Sequence, residues 1–295
     1  MNNFKTKINF NQFTLKNNVL LFYSIVFLSC SVHSQRVLFS ENNNGNWDLY
    51  SIDLNNGAIN RVTKDSLKDF QSDYCSVNNK IVFDSYRDSN TRNIFTINSK
   101  TNELNQLTHL KTRDGHPVWS PDCVKIAFQS GRSGNPDVFI MDSSGKNVEQ
   151  LTFDTSFDGI PKWAPNGKLL AINSNRTGSP NVFLINFKTK EKIKITDDKK
   201  YNFVQDWISD TKILIITDVH EKRQLQILDI KNGSTKTIST DGDVTYARCN
   251  KKGQIVFTQK TNTGKVNVFL TDIKKKDIKQ LTNSKNEKRF PAFMK

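Results

Sequence analysis

The sequence predicts an all-β protein, a six-bladed β-propeller of four-stranded blades, and three observations predict it. An end-mark of the type Gln-Leu-Thr recurs six times at a steady spacing. Between marks lie four short apolar segments separated by turn signals. The chain also ends on an apolar segment that matches the one strand its first unit lacks.

Counted at their last residue, the marks fall at Thr63, Thr108, Thr152, Thr196, Ser239 and Thr282, at intervals of 45, 44, 44, 43 and 43 residues. The third unit reads HPVWSPDCVKIAFQSGRSGNPDVFIMDSSGKNVEQLT from His116, and the fourth reads IPKWAPNGKLLAINSNRTGSPNVFLINFKTKEKIKIT from Ile160. In the third unit the segments are PVW, KIAF, DVFIMD and VEQLT. A Pro-Asx turn, a Gly-containing loop and a second turn separate them. Val, Ile, Phe and Thr dominate the segments, which favours strands. Four strands in about 44 residues is the pattern of a propeller blade. A helical solenoid of the same period needs sustained 3.6-residue periodicity, and the sequence has none.

The elements follow in order. Residues 1–34 form a leader: Lys5, Lys7 and Lys16 precede the apolar run VLLFYSIVFL, which is too short to span a bilayer and suits a signal peptide. Cleavage after Ser34 is the first reading. FLSC, ending at Cys30, is similar to a lipobox, with Phe27 where Leu is usual, so lipid anchoring at Cys30 is the second. Either way an exported protein is expected, periplasmic or secreted, with no transmembrane segment in the mature chain. The propeller is expected over 36–295. Its first unit begins at the second-strand position with RVLFS and has no innermost strand. RFPAF near the C-terminus aligns Pro291 with Pro117 and Phe293 with Trp119, so it is expected to complete the first blade and close the ring.

Composition narrows the function classes. Loss of the three leader lysines takes the formal charge from +14 to +11. The basic residues are spread along the chain rather than clustered with aromatics, so no nucleic-acid partner is expected. With cleavage after Ser34, the mature chain keeps Cys75, Cys123 and Cys249, an odd number, and with His109, His116 and His220 they match no metal-site spacing, so neither a disulfide-built nor a zinc-built fold is expected. Tyr74, Trp119, Trp163 and Trp207 share one repeat position and are expected to pack between blades. In the sixth unit that position falls on Arg248 or Cys249.

DGHPVWSPDCVKIAFQSGRSGNPDVFIMD resembles the TolB-type (WD40-like) propeller repeat, which runs D-x-x-P-x-W-S-P-D-G, an apolar strand, S-x-R-x-G and D-I-Y. Asp114, Pro117, Trp119, Ser120, Pro121, Asp122, Ser130, Arg132, Gly134, Asp137 and Phe139 fit it. The fifth unit departs from the pattern, with QDWISDTK in place of the proline turn. The resemblance implies a fold that serves as scaffold, protein-binding module or, with added parts, enzyme. With the propeller starting close behind the leader, a stand-alone propeller without the TolB N-terminal domain is expected.

Two repeat-locked polar sets are candidate sites. Five residues before the aromatic stand Asp69, Asp114, Asp158 and Asn202, with Asp243 and Lys288 at the matching places in the last two units. Converging at a channel mouth, they could hold a cation or a basic group of a partner. Alternatively each Asp caps a turn within its own blade. Arg87, Arg132 and Arg176 share the S-x-R position. They could bind carboxylates, or each could fix its loop by pairing with the Asp or Asn that opens the next strand, Asp137 in the third unit. No G-x-S-x-G elbow, Ser-His-Asp set or histidine cluster is present, so no catalytic residue, metal or cofactor is expected. The expected function is an exported, non-catalytic, monomeric module that binds a protein or peptide through one propeller face. The alternative is a glycan binder, or a carbohydrate-active lyase or hydrolase, working at an acidic channel mouth.

Overall fold

The computed structural model describes residues 35–294, apart from 89, 198, 220–221, 239–241, 262 and 275–276. The leader, with its cleavage site and Cys30, lies outside the described residues, as do His220 and Ser239. The strands form six four-stranded antiparallel sheets, and five of these are built from consecutive strands. The sixth places the last strand, Lys288–Met294, on the inner side of Arg36–Asn43, with Phe293 opposite Val37 and Ala292 opposite Leu38. The expected closure is therefore observed. The chain's last strand is the innermost strand of blade one.

The apolar core is divided among the blade interfaces. Six clusters each join two neighbouring blades. One of them packs Val256 and Val268 of blade six on Val37, Phe39, Ile52 and Phe293 of blade one, so apolar burial seals the ring as well as backbone pairing. Within the blades, rings meet across strands: Phe83 faces Phe95 at 6.0 Å, Phe128 faces Phe139 at 6.0 Å and Phe257 faces Phe269 at 5.6 Å. Trp119, Trp163 and Trp207 are buried in three successive interface clusters, and the Trp207 indole N–H donates to the carbonyl of Lys162 in the preceding blade at 2.9 Å. These aromatics pack between blades, as their recurrence predicts.

The end-mark also has a physical cause. The Oγ1 of Thr63, Thr108, Thr152, Thr196 and Thr282 each accepts the backbone N–H of a third-strand residue (Leu49, Ile94, Val138, Val182 and Val268) at 2.9 Å. The hydroxyl carries on the ladder where the outermost strand has ended, so the repeat retains it.

Cys75 and Cys123 form a disulfide from the end of the inner strand of blade two to the turn of blade three. The sequence reading did not pair them. Cys249 is a buried thiol that donates to the carbonyl of Trp207 at 3.0 Å. Among the described residues no helix is long and apolar enough to cross a membrane.

Candidate functional site

The inner strands line the central channel: Lys288–Met294, Asp69–Cys75, Asp114–Trp119, Asp158–Trp163, Asn202–Ser209 and Asp243–Cys249, for blades one to six. Each carries a bulge or register shift near its start. In three of them the residue two places beyond the strand's first has a left-handed backbone: His116 (φ 53°), Ile160 (φ 56°) and Phe290 (φ 53°). Non-glycine residues rarely adopt this conformation, least of all a β-branched one. The bulge turns that residue toward the channel and leaves the first residue inside the blade.

The predicted Asp set consequently sits within the blades. Asp69, Asp114 and Asp158 are fully buried. Each receives the guanidinium of its own blade's loop arginine. Arg87 donates to both oxygens of Asp69 at 2.8 Å, Arg132 donates to Asp114 at 3.1 Å, and Arg176 donates to Asp158 at 2.9 and 2.7 Å. The same arginines donate Nε–H to Ser85, Ser130 and Ser174, which face those aspartates across the strand pair. They also lie over the blade's rings, Arg132 at 5.1 Å from Phe128 and 4.9 Å from Phe139. In blades two, three and four the two candidate sets are therefore one bonded unit. This corrects the expected pairing of Arg132 with Asp137, because Asp137 instead bonds Ser133, Gln150 and Thr152. Burial raises the Asp69 pKa, and Arg87 opposes the rise.

The other three positions differ. Asn202 accepts from Thr217 and donates to the carbonyls of Asp197 and Lys200. Lys288 is buried with reversed polarity, donating to Ser284 and to the carbonyl of Asn286, with Glu41 opposite it across the strand pair at 3.6 Å. In blade six the strand register places Val244 at the position assigned to Asp243. Cys249 pairs with Ile255 as Trp119 pairs with Ile126, so the repeat is one residue out of step with Arg248. Asp243 is exposed, and its carboxylate accepts the backbone N–H of Arg223.

What faces the channel is a different set. A pocket of about 250 Å³ opens at the end where the inner strands begin, lined among others by Gln71, His116, Ile160, Phe203, Tyr246 and Phe290. Tyr246 and Phe290 of adjacent blades meet at 4.2 Å. His116 comes within 3.4 Å of Gln71. Surrounded by protein, and with Arg92 and Lys162 near, it is held neutral, its pKa lowered to about 3, chiefly by desolvation.

The pocket has a floor. The residues just before the aromatic position read Asp73, Val118, Lys162, Asp206, Arg248 and Ala292 around the ring. Arg248 of blade six reaches Asp73 of blade two and Asp206 of blade five. Burial pulls the Arg248 pKa down, and Asp206 and Asp73 together more than reverse this, so the guanidinium stays charged. Asp73 and Asp206 are fixed in turn by the backbone N–H groups of Trp119, Trp207 and Cys249. Arg248 lines this pocket and also a second one, of about 180 Å³, at the opposite end of the channel. It thus divides the two. Sequence reasoning missed this layer. The signal was present as charges at the position beside the aromatic, three of them on different blades that cluster in space.

Comparison with known proteins places this geometry. The TolB beta propeller domain model matches residues 155–293. No curated protein matches in sequence. Among solved structures, TolB from Acinetobacter baumannii is similar at 20% identity with a TM-score of 0.78, over 88% of this chain and 66% of that one. A chain of the nidogen/laminin complex is similar at 8% identity with a TM-score of 0.71, over 88% of this chain and 98% of that one. Oligogalacturonate lyase from Vibrio parahaemolyticus is similar at 16% identity with a TM-score of 0.56, over 80% of this chain and 74% of that one. Over residues 155–293 the sequence matches the TolB beta propeller domain, and the described residues share the six-bladed β-propeller fold.

Proposed function

We propose that the chain is an exported, non-catalytic recognition module that takes a segment of a protein or peptide partner at the pocketed end of its channel. The observation that carries this is the pocket itself, which combines three aromatic rings with polar groups on rigid inner strands. Apolar side chains stand exposed on the loops leading into four of those strands: Leu67, Leu110, Phe153 and Tyr201, the last two more than half exposed. A polypeptide segment offers both the side chain to fill such a pocket and the apolar surface to cover such loops. The buried Asp–Arg units, by contrast, serve as the frame.

Export draws on the leader in residues 1–34 and on the Cys75–Cys123 disulfide, a bond that persists in oxidising compartments. Mass spectrometry of the mature N-terminus tests it. A start at Gln35 fits cleavage, and a lipidated Cys30 fits anchoring. An intact Met1 contradicts export.

The functional test is affinity capture from cell-envelope extract with the wild-type protein and with Tyr246→Ala, melting temperatures being matched. A partner retained by the wild type and lost by the variant supports the reading. Glycan-array binding with no retained protein overturns it in favour of a glycan.

A further inference from the structure

The walls of this pocket carry charge of one sign. Lys162, Arg223 and Arg248 line it, and no acidic residue does among the described lining. The two carboxylates that hold Arg248, Asp73 and Asp206, line the opposite pocket instead. Arg223 enters from the mouth, with its guanidinium 5.9 Å from the Phe203 ring and 3.5 Å from Asp218, which does not line the pocket. The field inside the pocket agrees. Positive neighbours add to desolvation in keeping His116 neutral, and Arg289, Arg223 and Arg92 all act on Tyr246, against Glu287 alone. Arg248 stands between this pocket and the opposite one, so an occupant would enter from the mouth and meet it end-on.

We propose that the pocket is a carboxylate acceptor, taking an acidic group carried beside an apolar side chain on a polypeptide. This rests on the reading of this channel end as a recognition site, and it names the chemistry recognised. The anion would lie among Lys162, Arg223 and Arg248, which can give it charge-assisted hydrogen bonds. The flanking apolar group would meet Ile160, Tyr246 and Phe290. A uronic sugar shares the carboxylate, but it carries hydroxyls on nearly every carbon that these walls cannot satisfy.

Titration of the purified protein by NMR at pH 7 and low salt tests this, with N-acetyl-phenylalanine, its uncharged amide and galacturonate as probes. The acid should bind with saturable shifts and at least about tenfold more tightly than the amide, a difference of about 1.4 kcal/mol. Arg223→Gln, at a partly exposed side chain, should weaken the acid at least fivefold and leave the amide unchanged. Lys162→Met should do the same should the loop of Arg223 rearrange. Raised salt should weaken the acid alone. Equal binding of acid and amide overturns the proposal, as does unchanged affinity in both variants. Galacturonate binding more tightly than the acid overturns its polypeptide part. Partner capture that depends on Tyr246 but survives both charge substitutions removes this inference and leaves the recognition reading standing.

Discussion

At the scale of single residues, the recurrence of Asp and Arg records a bonded frame. An aspartate with no exposed surface is tolerated because its guanidinium partner arrives from the same blade's loop, braced by a serine and laid over phenylalanine rings. Breaking such a pair by removing one member leaves a buried charge without compensation, at a cost of about 3–5 kcal/mol. Arg132→Met should therefore lower the free energy of unfolding, measured by denaturant titration, by an amount in that range. A loss below about 1 kcal/mol would mean that Asp114 finds other support. The same recurrence was legible in the sequence, but the partner was not. Asp137 is nearer to Arg132 along the chain than Asp114, and only the strand pairing of Asp114 with Ser130 shows which carboxylate the loop folds back upon. Titration supplies a second residue-scale prediction. His116 has a folded pKa of about 3 against an ordinary 6.5, so its contribution to stability is present above pH 6.5 and is lost as pH falls toward 3. Asp84, buried against Arg92, is raised to about 6 from 3.8 and works in the opposite direction, its contribution being lost as pH rises through 6. His116→Asn keeps a residue that tolerates the left-handed backbone. Its melting temperature should fall less between pH 7 and pH 5 than that of the wild type. An equal fall would contradict a His116 held neutral in the folded protein.

At the scale of elements, the strands were legible because each unit repeats its apolar segments and turn residues, and because the end-mark threonine performs the same bond in five blades. Closure was legible for the same reason, since Pro291 and Phe293 fall on repeat positions. Blade six was misaligned by one residue. Its aromatic is replaced by Cys249, and without that marker Asp243 rather than Val244 was placed on the ring. The disulfide was not legible, because three cysteines admit several pairings and only the docking of blade three on blade two brings Cys75 and Cys123 together. A bridge that encloses a loop of this size stabilises by about 4 kcal/mol in the loop-entropy account. The closing strand is the element whose loss should matter most. Deletion of residues 289–295 removes nearly all of the inner strand of blade one, leaves the inner edge of Arg36–Asn43 unpaired and exposes the cluster around Phe293. The truncated protein should lose cooperative unfolding near the wild-type temperature. Melting like the full chain would contradict strand-completed closure.

At the scale of the whole molecule, the ring supplies a rigid channel whose two ends differ. Arg248 separates a cation-lined, aromatic pocket from one that contains Asp73 and Asp206. The sequence placed the acidic positions at a channel mouth. In three inner strands the bulge instead hides the first residue and presents the one two places on, so His116, Ile160 and Phe290 stand where Asp114, Asp158 and Lys288 were expected to be. Such a bulge leaves no trace in composition or spacing, and for that reason the fold could be read so much further than the site. The central claim is that recognition occurs at this pocketed end. Hydrogen–deuterium exchange of the protein, free and with its captured partner, tests it most directly. The account predicts new protection in the inner-strand segments 69–72, 202–205, 244–247 and 288–291, together with the loops bearing Phe153 and Tyr201. Protection confined to the outermost strands or to the Asp73 and Asp206 end, with those segments unchanged, would contradict it.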